Sequence, residues 1–482
     1  MTSALLQLLP EKIARQYCIF PLEADDSSVT VASAHPLGPE ALESLRFRLD
    51  RTIHQRLFSK EAIEAFLEKY YSPPPESIFC NTIAVPSEEG PFLTSRDQEN
   101  PVIRYVKMLL DEAIEQDASD VHLESFETEC RIRYRIDGLL LEKKSVSLSL
   151  ATPLISRLKL LAHLDITERR LPQDGRLTHT WNKITVDFRL SSLPTQFGES
   201  LVLRVLDRRK MIRHLSSLEL PSTLERSLHQ LLQKPHGLFL VTGPTGAGKT
   251  TTLYACLQEL QARHLKLITA EDPVEYEIEG IMQVAIQESI GRTFANVLRS
   301  FLRHDPDVIM IGETRDEETA RMAMQASLTG HLVLTTLHTN DAPGAISRLI
   351  DMGLDPLMIT TTLEGILAQR LVRKICSFCR TAYPPEKFSS AELAFFNTHL
   401  LPSQLYSGVG CEQCHHTGYQ GRIGIFELLL LDDELRLLIH ERAACHRLRE
   451  KAAQQGMSSL HSEARRSVLE GVTTVEEVKR AM

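Results

Sequence analysis

Residues 237–250 read GLFLVTGPTGAGKT, an apolar run followed at once by a glycine-rich turn that ends in Lys249 and Thr250. This pattern predicts a buried strand, a phosphate-binding loop and the start of a helix. Glycines let backbone N–H groups close around phosphates, the lysine neutralises β- and γ-phosphate charge, and the threonine hydroxyl can bind Mg²⁺. The segment therefore predicts a nucleoside triphosphate site. Its residues are Gly243, Pro244, Thr245, Gly246, Ala247, Gly248, Lys249, Thr250 and Thr251.

Three further apolar runs downstream each end in polar residues. LKLITA is followed by Glu271 and Asp272, DVIMI by Gly312 and Glu313, and HLVLTT leads to His338. In open parallel sheets ligands bind where strands end, so these runs predict an ATPase site at one edge of a sheet. Each residue alone has a simpler interpretation, because a glutamate after a strand is often solvated and a lone histidine is usually structural.

The residue before Glu313 bears on how the roles at the predicted site are divided. The Walker B strand of a P-loop protein usually ends in an aspartate that helps to hold Mg²⁺, whereas here a glycine precedes Glu313. We therefore expect Thr250 to bind Mg²⁺ directly, Asp272 to hold its water ligands, and Glu313 to orient or deprotonate the attacking water. Glu271 is the rival for that last role. We expect His338 to sense the γ-phosphate and to couple its loss to domain movement.

Composition limits the possible classes of protein. At 482 residues, with 43% hydrophobic residues, the chain predicts roughly three folded domains of about 150 residues each. The formal net charge of -9 argues against a large non-specific nucleic-acid surface. No apolar run approaches the roughly 20 residues that span a bilayer, and the first residues lack the features of a signal peptide. We therefore expect a cytoplasmic protein, and the charge disfavours a nucleic-acid partner without excluding a local basic channel.

Four of the nine cysteines form two Cys-x2-Cys pairs, Cys376 with Cys379 and Cys411 with Cys414. Each pair can present two thiolates from a tight turn, and two pairs complete a tetrahedral Zn²⁺ site. Four thiolates leave no open position, so this zinc would hold structure rather than catalyse. The loop between the pairs is longer than the usual zinc-ribbon spacing, and reduced, unpaired cysteines are the alternative.

Changes in composition along the chain predict its domains. Residues 72–99 are rich in proline, serine and acidic residues, which is typical of a linker. They follow an amino-terminal docking domain in residues 1–71. We expect an arginine-rich middle domain in residues 100–207 and an ATPase domain in residues 208–482, with a zinc-binding subdomain in residues 372–420.

The amino-terminal domain carries no catalytic constellation. Within it VTVASA predicts a strand, and PEALESLRFRLD and KEAIEAFLEKYY predict amphipathic helices. We expect this domain to dock on a partner protein, and a plain folded domain is the alternative.

The middle domain carries many arginines between apolar neighbours on its candidate strands. A solvated sheet face is one interpretation. The other is that some of them reach a triphosphate as arginine fingers, which stabilise charge on the transferring phosphoryl group. These arginines are Arg131, Arg133, Arg135, Arg176, Arg189 and Arg204.

Several longer motifs run through the chain. The ATPase domain contains GPTGAGKTTTLYA, ITAEDPVEY, FLRHDPDVIMIGETRDEETA, GHLVLTTLHTNDA and GCEQCHHTGYQGRIGIFELL, and the middle domain contains ASDVHLE, RYRIDG, LPQDGR and PTQFGES. Together they resemble the secretion ATPases of type II secretion systems and the related type IV pilus assembly ATPases. The resemblance implies an α/β fold: a RecA-like P-loop motor domain with a zinc-binding insertion of four cysteines, an α+β, PAS-like middle domain and a small α/β amino-terminal domain.

The resemblance also implies residue roles at the nucleotide. It identifies residues 243–250 as the Walker A loop and residues 271–275 as the aspartate box, which includes Glu275. Glu313 matches the Walker B glutamate and His338 the histidine box.

Arginines are the other group whose roles come from the resemblance. Arg189 and Arg204 match middle-domain arginines that approach the nucleotide in relatives. Arg299, Arg303 and Arg422 match motor-domain arginines that act at the nucleotide or at subunit contacts.

The function that the resemblance implies is a cytoplasmic, homo-hexameric motor that uses ATP and Mg²⁺ to power pseudopilus assembly and protein export by a type II secretion system. Its partners would be the cytoplasmic domain of an inner-membrane scaffold protein and an inner-membrane platform protein, so membrane association would be indirect and peripheral. A type IV pilus assembly ATPase is the alternative. A RecA-like DNA translocase or helicase is a remote alternative, which the net charge disfavours.

Overall fold

Two compact units, Met1–Asp97 and Gln98–Met482, make up the chain. The computed structural model describes residues 14, 19–25, 28–33, 52–58, 63, 101–207, 214–396 and 401–482. In the first unit β1 (Ile19–Ala24), β2 (Ser28–Ser33) and β3 (Thr52–Leu57) form one sheet, in which β2 pairs with β1 antiparallel and with β3 parallel. Strand β2 corresponds to the predicted VTVASA strand. The two predicted helices and the linker fall almost wholly outside the described residues.

The second unit begins with an antiparallel sheet backed by two helices. Its elements are α1 (Pro101–Glu115), β4 (Asp120–Ser125), β5 (Glu129–Ile136), β6 (Leu139–Ser147), α2 (Leu148–Leu161), β7 (Gln173–Trp181), β8 (Ile184–Thr195) and β9 (Gly198–Leu206). The strand order is β6-β5-β4-β9-β8-β7. Strand β5 alternates, so Cys130, Ile132 and Tyr134 face the apolar core beneath the helices while its arginines face away. We call this part the middle domain.

A mixed sheet follows, which we call the motor domain together with its helices. Its first elements are α3 (Ser222–Leu232), β10 (Gly237–Thr242), α4 (Lys249–Gln261), β11 (Leu267–Glu271), β12 (Met282–Ala285), α5 (Phe294–Phe301), β13 (Val308–Ile311), α6 (Glu317–Leu328), β14 (Leu332–Leu337), α7 (Ala342–Asp351), α8 (Pro356–Thr362) and β15 (Leu363–Ile375). The later elements are β16 (Arg380–Tyr383), α9 (Ser390–Phe396), β17 (Leu405–Gly408), β18 (Tyr419–Leu430), α10 (Asp433–His440), α11 (Cys445–Gln454), α12 (Leu460–Leu469) and α13 (Val475–Ala481).

The motor sheet has the strand order β12-β11-β13-β14-β10-β15-β18. All neighbours are parallel except β15 and β18. Helices cover both faces, with α3 and α4 in one apolar cluster and α5, α6 and α7 in the other. Because both faces are buried, strands such as β10 read as unbroken apolar runs. The α/β class predicted from the sequence is confirmed.

A small two-stranded sheet of β16 and β17 lies between β15 and β18 in the chain. The backbone packs tightly here, because a Cβ on Gly408 would lie 2.0 Å from the carbonyl oxygen of Gly418. Across the described part of the chain, no helix is both long and apolar enough to cross a membrane.

Candidate functional site

The Walker A loop joins β10 to α4, as the strand-loop-helix pattern predicts. Gly243 has a φ of 151°, and a Cβ there would lie 2.5 Å from the carbonyl oxygen of Gln369, so only glycine fits. Gly248 caps α4 with a φ of 85°. The first N–H groups of α4 therefore face the loop, which gives it the electrostatics of an anion site.

Lys249 is buried at the base of this loop and is 9% exposed. Its ammonium group donates hydrogen bonds to the carbonyl oxygens of Gly243 and Pro244, at 2.8 and 3.0 Å. Burial lowers the pKa of Lys249 to about 8, although the charge of Glu313 acts in the opposite direction. A nearby phosphate would favour the charged form, so the lysine is suited to an anionic ligand.

Strands β11, β13, β14 and β10 are consecutive parallel neighbours, so their carboxyl ends lie along one edge of the sheet. Glu271 ends β11, Glu313 follows β13 by two residues, and His338 directly follows β14. The structure brings these three groups to the same edge as the Walker A loop. The predicted strand ends are therefore adjacent in space.

The two rival glutamates have different environments. Glu271 is 2% exposed, and its carboxylate accepts hydrogen bonds from Thr269 at 2.5 Å, from Gln283 at 3.1 Å and from the Tyr254 hydroxyl. Burial and then the charge of Glu271 raise the pKa of Tyr254, which keeps the phenol protonated as a donor. Glu271 is thus surrounded by donors and sealed from water.

Glu313 is more accessible, since its side chain is 19% exposed. Its Oε1 lies 2.5 Å from Nη2 of Arg315, and its Oε2 lies 3.8 Å from Nε2 of His338. Arg315 also lies 3.7 Å from the carboxylate of Asp272. A single guanidinium therefore neutralises the two acidic groups that the sequence assigns to water activation and Mg²⁺ hydration.

His338 is half exposed beside Glu313. Partial burial, and then the charge of Lys249, lower the pKa of His338 below its ordinary value, although Glu313 acts in the opposite direction. The imidazole is therefore mostly neutral at pH 7, and in that form one ring nitrogen donates a hydrogen bond while the other accepts one.

Arg189 connects the middle domain to the motor domain. It donates to the carbonyl oxygen of Val274, and its Nη1 lies 3.3 Å from Oε2 of Glu275. A cleft of about 910 Å³ lies between the two domains, and it is lined by Arg176 and by Thr251, the residue directly after the Walker A loop. The middle domain thus borders the nucleotide side of the motor sheet.

Three other predicted arginines have partners outside the Walker A loop. Arg204 pairs with Asp120 at 3.2 Å and is 61% exposed. Arg299 binds Glu318 on α6 at 2.6 Å, and Arg303 donates to the Arg299 carbonyl oxygen. These contacts, all between described residues, hold the three arginines to groups other than the Walker A loop.

The four paired cysteines meet in one cluster. Their sulfur atoms all lie within 4.8 Å of one another. Cys376 and Cys411, and Cys379 and Cys414, are 3.8 Å apart, and Cys411 and Cys414 are 3.7 Å apart. A tetrahedral ion with metal–sulfur bonds of about 2.3 Å places its sulfurs about 3.8 Å apart. The donor set and spacing fit a closed, structural metal site.

Sequence reasoning missed three groups that support the site. Gln369 on β15 donates to the Ala247 carbonyl oxygen at 2.6 Å and accepts from Thr252 at 2.8 Å, so it braces the Walker A loop and α4 together. Its neighbour Arg370 donates to the carbonyl oxygen of Asn340, two residues beyond His338. Arg315 is the third. The only available signal was its place in the GETRDEETA motif.

Comparisons with known proteins agree with this arrangement. A family model described as type II/IV secretion system protein matches residues 95–480, and one described as MshEN domain matches residues 1–77. Type II secretion system protein E of Pseudomonas aeruginosa is 47% identical over 397 residues, which cover 82% of this chain and 78% of that protein.

Two further similarities concern pilus motors. Type IV pilus assembly ATPase PilB of Myxococcus xanthus is 40% identical over 489 residues, covering 98% of this chain and 86% of that protein. The crystal structure of the pilus retraction motor PilT with bound ADP has a TM-score of 0.53 and 26% identity, covering 78% of this chain and 96% of that one.

Proposed function

This chain belongs to the type II/IV secretion system protein family, and from that premise we propose that its ATP hydrolysis powers pseudopilus assembly and protein export by a type II secretion system. The chain is an ATP-hydrolysing enzyme of the secretion family. The structural observation that carries the enzymatic part is the placement of Lys249, Glu313 and His338 at one sheet edge.

The bound substrate, ATP with Mg²⁺, supplies the phosphoanhydride bond whose hydrolysis releases energy. Lys249 exchanges its bonds to the Gly243 and Pro244 carbonyl oxygens for bonds to phosphate. The Thr250 hydroxyl would hold Mg²⁺, and Asp272 would hold its water ligands. These groups hold the triphosphate in a fixed position, which is the main requirement for phosphoryl transfer.

Glu313 is the group that orients the attacking water and accepts its proton. It is the more accessible of the two rival glutamates, and its Oε2 faces the neutral imidazole of His338 across 3.8 Å. Glu271 instead organises the buried end of β11 by accepting bonds from Tyr254 and Gln283. His338 then responds to loss of the γ-phosphate.

Movement is transmitted through the middle domain. Arg189 holds β8 to the segment that directly follows Asp272, so a change at the metal side of the site reaches the middle sheet through Val274 and Glu275. We assign Arg189 and Arg204 to contacts with the bound nucleotide.

The four-cysteine cluster holds Zn²⁺ in this proposal, through Cys376, Cys379, Cys411 and Cys414. Four sulfur donors favour zinc over harder cations, and a closed tetrahedron assigns it a structural role.

The assembled protein is a cytoplasmic homo-hexamer at the inner membrane, bound there by a scaffold protein and a platform protein and free of nucleic acid. Arg299 and Arg303 are exposed on α5 or just after it. In a ring they would contact the neighbouring subunit or its nucleotide.

Assembly of a type IV pilus is the second candidate, because the similarity to the pilus assembly ATPase extends over 98% of this chain. Deleting the gene in its native host separates the two functions. The type II proposal predicts loss of proteins from the culture medium with surface pili retained, and rescue by the wild-type gene but not by Glu313→Gln. Loss of pili with normal secretion would instead support the pilus function.

A further inference from the structure

A buried carboxylate connects two helix N-termini behind the ATPase site. Glu427 on β18 is 3% exposed. One of its oxygens accepts the N–H of Ala342 at 2.8 Å, and the other accepts the N–H of Leu460 at 3.0 Å. Ala342 begins α7 and Leu460 begins α12, and the first N–H groups of a helix lack partners within the helix. Both oxygens of Glu427 are therefore used to join two helices.

The segment joined to Glu427 is the loop that carries His338. The Thr339 N–H donates to Oγ1 of Thr242, on the last residue of β10, at 3.0 Å. The Asn340 carbonyl oxygen accepts from Arg370 at 2.8 Å. The loop is thus anchored in turn to β10, β15 and β18. Its last anchor, at Ala342, is Glu427.

A second contact joins the same loop to the carboxyl-terminal helices. Arg449 on α11 donates to Oδ2 of Asp341, while Oδ1 of Asp341 caps α7 by accepting from Gly344 at 2.9 Å. The His338 loop therefore meets α12 through Glu427 and α11 through Arg449. Both helices lie far from the Walker A loop in sequence.

Glu427 differs from an ordinary core residue because its position requires a side chain with two hydrogen-bond acceptors. A buried carboxylate is costly unless hydrogen bonds favour its charged form. Burial raises the pKa of Glu427 despite its two backbone donors. A glutamine of the same size could accept only one of the two N–H groups and would turn its own NH₂ towards the other. The site thus requires two acceptors on one side chain.

We propose that Glu427 is a positioning residue for ATP hydrolysis, which fixes the His338 loop to α12 so that the carboxyl-terminal helices determine where His338 lies relative to Glu313. This inference rests on the proposed function of the site. It means that α11 and α12 can affect ATP hydrolysis through the position of His338, independently of the middle domain. A displacement of α12 would change the 3.8 Å separation of His338 and Glu313.

The test is a mutant cycle in the full-length protein. Glu427→Gln should lower kcat about tenfold, because a displaced loop misplaces His338 in the transition state, and change KM for ATP less than about twofold. His338→Ala should lower kcat by itself. If Glu427 acts through His338, the double variant should have the kcat of His338→Ala.

Glu477→Gln is the matched control. Glu477 is fully buried in the same carboxyl-terminal part and binds Arg373 at 2.7 Å, and among the described residues its hydrogen-bond partners are Arg373, Arg480 and Thr474. Its variant should lower the melting temperature and leave kcat unchanged. If Glu427→Gln does not fold, Arg449→Gln takes its place, because Arg449 is half exposed. It should lower kcat severalfold at an unchanged melting temperature, and this loss should also vanish when His338 is Ala.

Two results would overturn the inference while leaving the proposed function intact. One is wild-type kcat in Glu427→Gln, or in Arg449→Gln if that is the variant used. The other is a double variant in which the two losses multiply. Absence of ATP hydrolysis in the wild-type chain would instead contradict the proposed function itself.

Discussion

Nη1 of Arg189 lies 3.3 Å from Oε2 of Glu275. This ion pair joins the middle sheet to the segment that follows Asp272, and the same guanidinium donates to the Val274 carbonyl oxygen. Arg189, which the sequence predicts at the nucleotide, therefore binds residues of the motor domain in this structure. Through Arg189 the middle domain thus makes two contacts with the segment that follows Asp272.

Replacing Arg189 with Ala should lower kcat by more than about tenfold and leave ATP affinity near the wild-type value, because the guanidinium acts on transition-state charge. Steady-state kinetics and nucleotide titration measure the two effects. Glu275→Ala is the control, since it removes the ion pair and keeps the arginine, and its kcat should fall less. Equal losses in the two variants would mean that the contact alone matters.

Glu313→Gln should abolish most hydrolysis, with kcat falling about 10²- to 10⁴-fold, as expected for loss of a general base. ATP binding should persist, because Lys249 and the Walker A loop are untouched. Glu271→Gln should mainly lower the melting temperature, since its carboxylate accepts three buried hydrogen bonds. Normal hydrolysis by Glu313→Gln, or a larger kcat loss in Glu271→Gln, would reverse this assignment.

The pH dependence of kcat/KM should report on His338, because this ratio reflects pKa values of the free enzyme. Its pKa is lowered, so the neutral form predominates at pH 7, and protonation adds charge beside Lys249 and Arg315. We expect kcat/KM to fall as the pH drops below 7, with a midpoint below about 6.5. His338→Gln should lack that acid limb. An acid limb at or above pH 7 in the wild type, or one that persists in the variant, contradicts this role.

Removing the metal should loosen the segment between β15 and β18. Purified protein should contain one zinc per chain by elemental analysis, and Cys379→Ser should lose the metal and melt at a lower temperature. Cys445→Ser is the control, because Cys445 lies outside the cluster. Metal-free protein of unchanged stability would leave the alternative of four reduced, unpaired cysteines.

The strands that carry the candidate site could be predicted from the sequence, because parallel strands buried on both faces consist of continuous apolar runs. Strand β10 and the Walker A loop form one contiguous stretch, and the residues that end β11, β13 and β14 follow similar runs. When the strands are parallel neighbours, their carboxyl ends lie along the same edge of the sheet. The cysteine cluster could also be predicted from the sequence, because metal-binding cysteines often occur in pairs with a short, fixed spacing.

Other features depend on packing between distant segments and leave no local pattern. Gln369 contacts a Walker A carbonyl 122 residues earlier in the chain. The buried environment of the Glu271 carboxylate depends on hydrogen bonds from Tyr254 and Gln283, which reach it only in the folded protein. For that reason the sequence alone does not distinguish Glu271 from Glu313 as the residue that activates water. The roles of the site residues themselves remain predictions.

The most direct test is Mg²⁺-dependent ATP hydrolysis by the purified chain, compared with Lys249→Ala and measured with and without DNA. We predict hydrolysis by the wild type, its loss in the variant, which removes the only lysine of the Walker A loop, and no response to DNA. A wild-type chain without hydrolysis, or equal rates in both proteins, would contradict the ATPase mechanism. Strong stimulation by DNA would contradict its assignment to secretion.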